Sequence, residues 1–262
     1  MAVGKPATTT RVVSAVAGWF ARRPRPDRPL DEVIRRRELR IVFQPIRKLA
    51  SNELVGVEAL ARISATPDTS PEGWFARARR AGRVVDLDLI AAEAAVAAGA
   101  PLPPDVYLAV NLTPAGLCDG RAADILAADR SVVVEITEHD VVDDYDELVA
   151  ALDELRSRGV RVAVDDAGAG WSTLRHVLLV RPDIVKLDAG VTAAVVRDAG
   201  ARALTRALVG FTTEIGAVLV AEGVEDEEQV AVLRELGVTH AQGFALGHPG
   251  NLAEATRERT GA

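Results

Sequence analysis

Leu148-Val-Ala-Ala-Leu152-Asp-Glu-Leu155-Arg-Ser-Arg-Gly159-Val160-Arg-Val-Ala-Val164-Asp165-Asp166 holds a helix, a stop, a strand and a pair of acids in one unbroken run. Leu148, Leu152 and Leu155 recur at helical spacing and form one apolar stripe behind an acidic start at Asp143 and Asp144. Gly159 stands where such a helix must end, because glycine takes the left-handed conformation of a helix C-terminus without a Cβ penalty. Val160 to Val164 then reads as a short strand. The same grammar returns at Asp226, Val230, Leu233, Leu236 and Gly237. Val132-Val133-Val134 and Val218-Leu219-Val220-Ala221 are apolar on both faces, as parallel strands are when helices cover one side and a packed interior fills the other.

Either side of this stretch the alternation persists from about Leu39. Strands are expected near Ile41–Leu49, Leu54–Ile63, Val106–Leu112, Val132–Thr137, Arg161–Asp166, Asp183–Asp188, Ala217–Glu222 and His240–Phe244, eight in all. The fold class is therefore α/β. An open, doubly wound sheet has the same local grammar, and periodicity alone does not separate the two. The (β/α)8 barrel is preferred because the polar residues that end the strands are spread evenly instead of gathering at one crevice.

The chain has 262 residues, of which 48% are hydrophobic, enough for a sizeable core. One domain of about 250 residues is an ordinary size for such a barrel. Cys118 is the single cysteine, which rules out an intramolecular disulfide and a cysteine-based zinc site and fits a reducing cytoplasm as the expected location. A net charge of −7 argues against general nucleic-acid binding, which needs basic surface to displace counterions. An acidic protein can still take a phosphate ligand when metal ions stand between them.

The first 30 residues carry Lys5, Arg11, Arg22, Arg23, Arg25 and Arg28 against Asp27 alone. They read as a flexible basic leader, followed by a barrel domain over 31–252 and a tail over 253–262. Val12, Val16, Trp19 and Phe20 would share one face of a short helix, so membrane contact through residues 11–23 is the less favoured reading. The apolar stretch Val12 to Ala21 is too short to span a bilayer, and Arg22-Arg23-Pro24-Arg25-Pro26 stands where a signal peptide would be cleaved.

In a barrel the strand ends converge on one face, and here they carry Glu58, Asn111, Glu135, Asp165, Asp166, Lys186, Glu222 and Gln242. Each could be a surface charge or turn former if taken singly. Their recurrence at strand ends changes that. Carboxylates around one mouth repel each other unless cations are bound, and a hard, oxygen-rich set suits Mg²⁺ or Mn²⁺. Zinc would be expected to recruit histidine or cysteine, and His240 lies at a strand start. The vicinal acids Asp165 and Asp166 could bridge two metals about 4 Å apart, a pairing that clamps a phosphoryl oxygen and ionises a water. Lys186 could hold that water or the developing charge, and Glu222 could act as general base or ligand.

Phe43-Gln44-Pro45-Ile46 and Gly56-Val57-Glu58-Ala59-Leu60-Ala61-Arg62 open a series of motifs that continues in order along the chain. Val110-Asn111-Leu112, Glu135-Ile136-Thr137-Glu138, Val164-Asp165-Asp166, Asp183-Ile184-Val185-Lys186-Leu187-Asp188, Ala221-Glu222-Gly223-Val224-Glu225 and Gln242-Gly243-Phe244 complete it. The series resembles EAL domains, the cyclic di-GMP phosphodiesterases. The resemblance implies a TIM-like barrel with an irregular first strand and hydrolysis of cyclic di-GMP to the linear dinucleotide pGpG. It implies Glu58, Asn111, Glu135, Asp165 and Asp166 as ligands of two Mg²⁺ or Mn²⁺ ions. Lys186, Glu222 and Gln242 would form the reaction centre, Gln44 and Arg62 would contact the ligand, and Glu138 would brace the loop after the fifth strand. A homodimer formed near that loop is also implied.

This sequence departs from the family in that loop, where Ala167 and Ala169 replace the usual aromatic and hydroxyl residues and Trp171 replaces a tyrosine. Ile63 replaces an aromatic residue, Arg79 stands where the family usually has a glutamate, and His248 replaces an arginine before Pro249. These changes leave a second expectation beside the enzyme: a domain that binds cyclic di-GMP, or a protein partner, with little or no turnover.

Overall fold

The computed structural model describes residues 27–63, 70–127, 130–136, 142, 144–168 and 172–257, with 172–175 through their backbone. Asp27 caps the first helix, α1 (Arg28–Arg36), accepting a hydrogen bond from the Leu30 N–H. There follow β1 (Leu39–Lys48), β2 (Leu54–Ile63), α2 (Pro71–Arg80), α3 (Val84–Gly99), β3 (Tyr107–Asn111), α4 (Pro114–Leu117), α5 (Arg121–Leu126) and β4 (Val132–Ile136). Next come α6 (Tyr145–Ser157), β5 (Arg161–Ala167), α7 (Ser172–Val180), β6 (Ile184–Leu187), α8 (Ala189–Ala194), α9 (Ala199–Glu214) and β7 (Val218–Ala221). The chain continues through α10 (Glu227–Glu235), β8 (His240–Gln242) and α11 (Leu252–Ala255).

The strands close into a barrel in sequence order, which excludes the open sheet. From β2 to β8 each neighbouring pair is parallel, whereas β1 runs antiparallel to both β2 and β8. That reversal is the irregularity of the first strand.

The helix signals act as their chemistry dictates. Asp144 caps α6 by accepting from the Asp146 and Glu147 N–H groups, and Leu148, Leu152 and Leu155 are buried. Gly159 ends the turn with a φ of 83°. Asp226 caps α10 in the same way through the Gln229 N–H.

Leu30 is fully buried beside Val33 and Trp74, so the scaffold reaches into the last residues of the stretch read as a leader. At the other end, α11 opens with a capping box between Asn251 and Glu254 and runs from the last barrel residue into the stretch read as a tail. Residues 11–23, the possible membrane contact, lie outside the described residues. Among the described residues no helix is long and apolar enough to cross a membrane.

Alternation along each strand separates two environments. Leu108, Val110, Val134, Ile136, Val162, Val164, Val185, Leu187 and Leu219 pack outward in the main hydrophobic core, under the helical ring. Ile46, Tyr107, Ala109, Val133, Ala163, Ile184 and Val220 form a separate apolar layer inside the barrel. Two residues beyond that inner layer, on the same face of each strand, stand Gln44, Asn111, Glu135, Asp165, Lys186 and Glu222. The polar set is thus the next layer up, seated on an apolar floor.

Candidate active site

Lys186 is the centre of that layer, with only 1% of its side chain exposed. Its Nζ donates to Glu135 Oε2 at 2.8 Å and to Glu222 Oε1 at 2.6 Å, and lies 3.6 Å from Asp165 Oδ1 and 3.7 Å from Glu58 Oε2. Four carboxylates from β2, β4, β5 and the end of β7 therefore surround one ammonium. Burial alone would strip the Lys186 proton, but the surrounding acids hold it on and raise its pKa well above the ordinary value.

One lysine does not neutralise this many acids. Burial pushes Glu135 up to about 8, with Glu58 and Asp165 raising it further against the pull of Lys186. Burial likewise raises Glu222, helped by Asp165 and Glu58. Asp165 goes the other way: burial would raise it, but Lys186 and hydrogen bonds from Glu222 and the Asp166 N–H carry it below the usual range. The hydrogen bond between Glu222 and Asp165 pushes the two in opposite directions, raising Glu222 and lowering Asp165.

On the other side of the mouth, Asn111 Nδ2 donates to Glu58 Oε1 at 2.8 Å, and Gln242 Nε2 donates to Glu58 Oε2 at 2.6 Å and to Gln44 Oε1 at 3.0 Å. Glu58 is thereby held from two strands, β3 and β8. Gln242 Oε1 is buried with no hydrogen-bond partner among the described residues, an acceptor left for water or ligand. Gly243, next in the chain, must be glycine: a Cβ there would overlap the Val224 backbone, which crosses beneath it.

Asp165 and Asp166 owe their placement to a break in the ladder. The β5–β6 register shifts between Val164 and Ala167, and Asp166 takes a φ of 58°, the left-handed region that ordinary side chains avoid. Asp165, Asp166 and Glu222 each bring a carboxylate oxygen within 4.8 Å of the others. Excess buried negative charge together with all-oxygen donors fits a hard divalent cation.

A cavity of about 740 Å³ opens from this cluster, walled by Glu58, Arg62, Phe75, Arg79, Asp88, Asn111, Asp165 and Asp166. A smaller lobe of about 250 Å³ lies across Glu58, between Gln44, Glu222, Gln242 and Phe244. Phe244 is 52% exposed and stacks on His248 with ring centroids 4.4 Å apart.

The structure brings together Gln44, Glu58, Asn111, Glu135, Asp165, Asp166, Lys186, Glu222 and Gln242, and sets Arg62 on the cavity wall. Glu138 lies outside the described residues. Sequence reading passed over Phe75 and Asp88. Phe75 fits a helical apolar pattern and gives no signal. Asp88 did carry one, as an acid inside the run Leu87 to Ile90; it is buried and accepts from the Thr113 N–H and hydroxyl.

The sequence model of the family described as EAL domain matches residues 27–249. The chain belongs to the EAL domain family. This EAL domain is 29% identical over 227 residues to the probable cyclic di-GMP phosphodiesterase PdeD of Escherichia coli, covering 81% of this chain and 42% of that protein. Its backbone matches the PaMucR phosphodiesterase in complex with c-di-GMP with a TM-score of 0.75 and 27% identity, over 85% of this chain and 96% of that one. A manganese and c-di-GMP complex of Klebsiella pneumoniae BlrP1 matches with a TM-score of 0.72 and 31% identity, over 81% of this chain and 56% of that one. The chain spans between 27% and 42% of the length of several curated relatives that it matches.

Proposed function

We propose that this EAL domain hydrolyses cyclic di-GMP to linear pGpG with the help of two Mg²⁺ or Mn²⁺ ions. The observation that carries the reading is the ring of acids around Lys186, which opens directly into a cavity walled by Arg62 and floored by apolar side chains. Glu58, Asn111, Glu135 and Asp165 would hold one ion, with Asp165 shared and Asp166 serving the second. Bound there, the ions polarise the phosphodiester and lower the pKa of water.

The protein's own groups would do the rest. Water attacks phosphorus, the bond to the 3′ oxygen breaks, and the product carries a 5′-phosphate. Glu222, 2.6 Å from Lys186, would take the proton of the attacking water in its carboxylate form, once bound cations had displaced its own proton. Lys186 would orient that water and offset charge on the phosphoryl oxygens. Gln242, itself bonded to Gln44 on β1, donates to Glu58 from β8, and Gln44 and Arg62 would contact the ligand.

Purified protein incubated with cyclic di-GMP and Mg²⁺ or Mn²⁺ should release pGpG, and EDTA or Glu58→Ala should abolish it. Tight binding without product would instead support the receptor reading, which Ala167 favours: it is buried at the end of β5, with a methyl group where the family has an aromatic anchor.

We also propose that the domain forms a homodimer. Leu178 and Leu179 on α7, the helix that follows the altered loop, are 60% and 38% exposed.

A further inference from the structure

The β1–β2 ladder outruns the barrel. β2 pairs with β3 from Gly56 to Ala59, but with β1 all the way to Ile63, so both strands continue past the rim as a two-stranded ribbon. Directly paired residues in an antiparallel ladder share a face, and alternate pairs repeat it. Gln44↔Glu58, Val42↔Leu60 and Arg40↔Arg62 therefore lie on one side, the side of the acid cluster. The outermost pair sets two arginines opposite each other.

Like charges directly across a ladder destabilise it. Several other guanidinium groups are paired with carboxylates: Arg77 with Asp27, Arg83 with Asp31 and Asp86, and Arg158 with Asp124 and Glu154. Among the described residues Arg40 makes no hydrogen bond or ion pair, and Arg62 donates only to its neighbour's carbonyl, Ala61 O, at 3.1 Å. Arg40 is exposed at the tip, while Arg62 reaches the wall of the large cavity. Two guanidinium groups without carboxylate partners, on one face of the ribbon with one of them on the cavity wall, can take an anion between them.

We propose that Arg40 is a specificity-determining residue: with Arg62 it clamps the phosphate that is not cleaved, so that the site selects ligands with two phosphodiesters over ligands with one. The proposal rests on the phosphodiesterase reading above, because the acid cluster claims the other phosphate. Arg40 touches neither the reacting bond nor the groups around Lys186. Its removal therefore acts on binding and spares the chemical step. It also removes the cross-strand repulsion in the unliganded protein.

The test uses the full chain with Arg40→Gln and Arg40→Glu. Cyclic di-GMP affinity is measured in Ca²⁺, the ion of a BlrP1 complex with that ligand, steady-state rates in Mn²⁺, and thermal midpoints without ligand. Arg40→Gln should raise Kd and KM about five- to tenfold at low salt with kcat within about twofold, and about half a molar salt should shrink the gap. Arg40→Glu should lose more. Preference for cyclic di-GMP over 3′,5′-cyclic GMP should fall, and the unliganded midpoint should hold or rise. An unchanged Kd in Arg40→Gln while wild type binds overturns the clamp alone, as does a lowered midpoint with a matching loss of kcat. Wild type that does not bind cyclic di-GMP overturns the clamp and the phosphodiesterase reading together.

Discussion

Lys186 Nζ stands 2.6 Å from Glu222 Oε1, a charge-assisted bond from β6 to the residue that follows β7, made where the lysine is almost wholly removed from water. Breaking a buried pair by removing one partner costs about 3–5 kcal/mol, because the remaining charge keeps its desolvation cost without its compensation. Lys186→Met should therefore lower the thermal midpoint in EDTA by several degrees and depress turnover by at least about a hundredfold. Mn²⁺ should restore much of the lost stability but not the rate. A variant with wild-type stability in EDTA would show that the ammonium does not hold the acids together.

Glu135 supplies the pH dependence. Its folded pKa of about 8 lies above the ordinary 4.5, so the fold holds a proton that the unfolded chain releases. That stability is fully present below the ordinary value and is lost as pH rises through about 8. Glu222 is raised as well and acts in the same direction. Metal-free protein should lose thermal midpoint between about pH 5 and 8, measured by calorimetry in EDTA. Glu135→Gln should flatten the slope, and Mn²⁺ should bind more tightly at the alkaline end as it displaces the proton. A flat profile in the wild type would contradict the buried excess of acid.

Asp166 bears a backbone cost for its position. At a φ of 58° a non-glycine residue is strained by about 1 kcal/mol, which glycine relieves. Asp166→Gly should match or exceed wild-type stability in denaturant titrations and yet lose turnover by about tenfold or more, since the proposed ligand of a second ion would be gone. Unimpaired hydrolysis would remove Asp166 from the site.

Leu178 and Leu179 test the assembly. Leu178→Glu should shift the protein from dimer to monomer in sedimentation or light scattering, with secondary structure unchanged. A wild-type protein that sediments as a monomer at micromolar concentration would dispose of the homodimer.

The eight strands, the caps at Asp144 and Asp226 and the stop at Gly159 were legible because each is a local matter: side-chain period, a hydrogen-bonding side chain before a helix, a residue without Cβ after it. The polar residues that break the apolar runs were legible for the same reason. Local signals could not choose between closed barrel and open sheet, because the same strand–helix alternation serves both. Closure depends on β1 pairing with β8 across the whole chain. Phe75 belonged to a helical pattern that says nothing of what its face covers.

The amino-acid sequence alone determined which residues lie on alternate faces of each strand, and hence that acids, an asparagine and a lysine would share one face. Tertiary structure decided how near they come: one ammonium among four carboxylates, a hydrogen bond between Glu222 and Asp165, and two arginines opposed on a ribbon beyond the rim. The physical reason is range. Periodicity and capping act over one or two turns of chain, whereas electrostatic coupling and burial act through space between residues as far apart in sequence as Glu58 and Gln242.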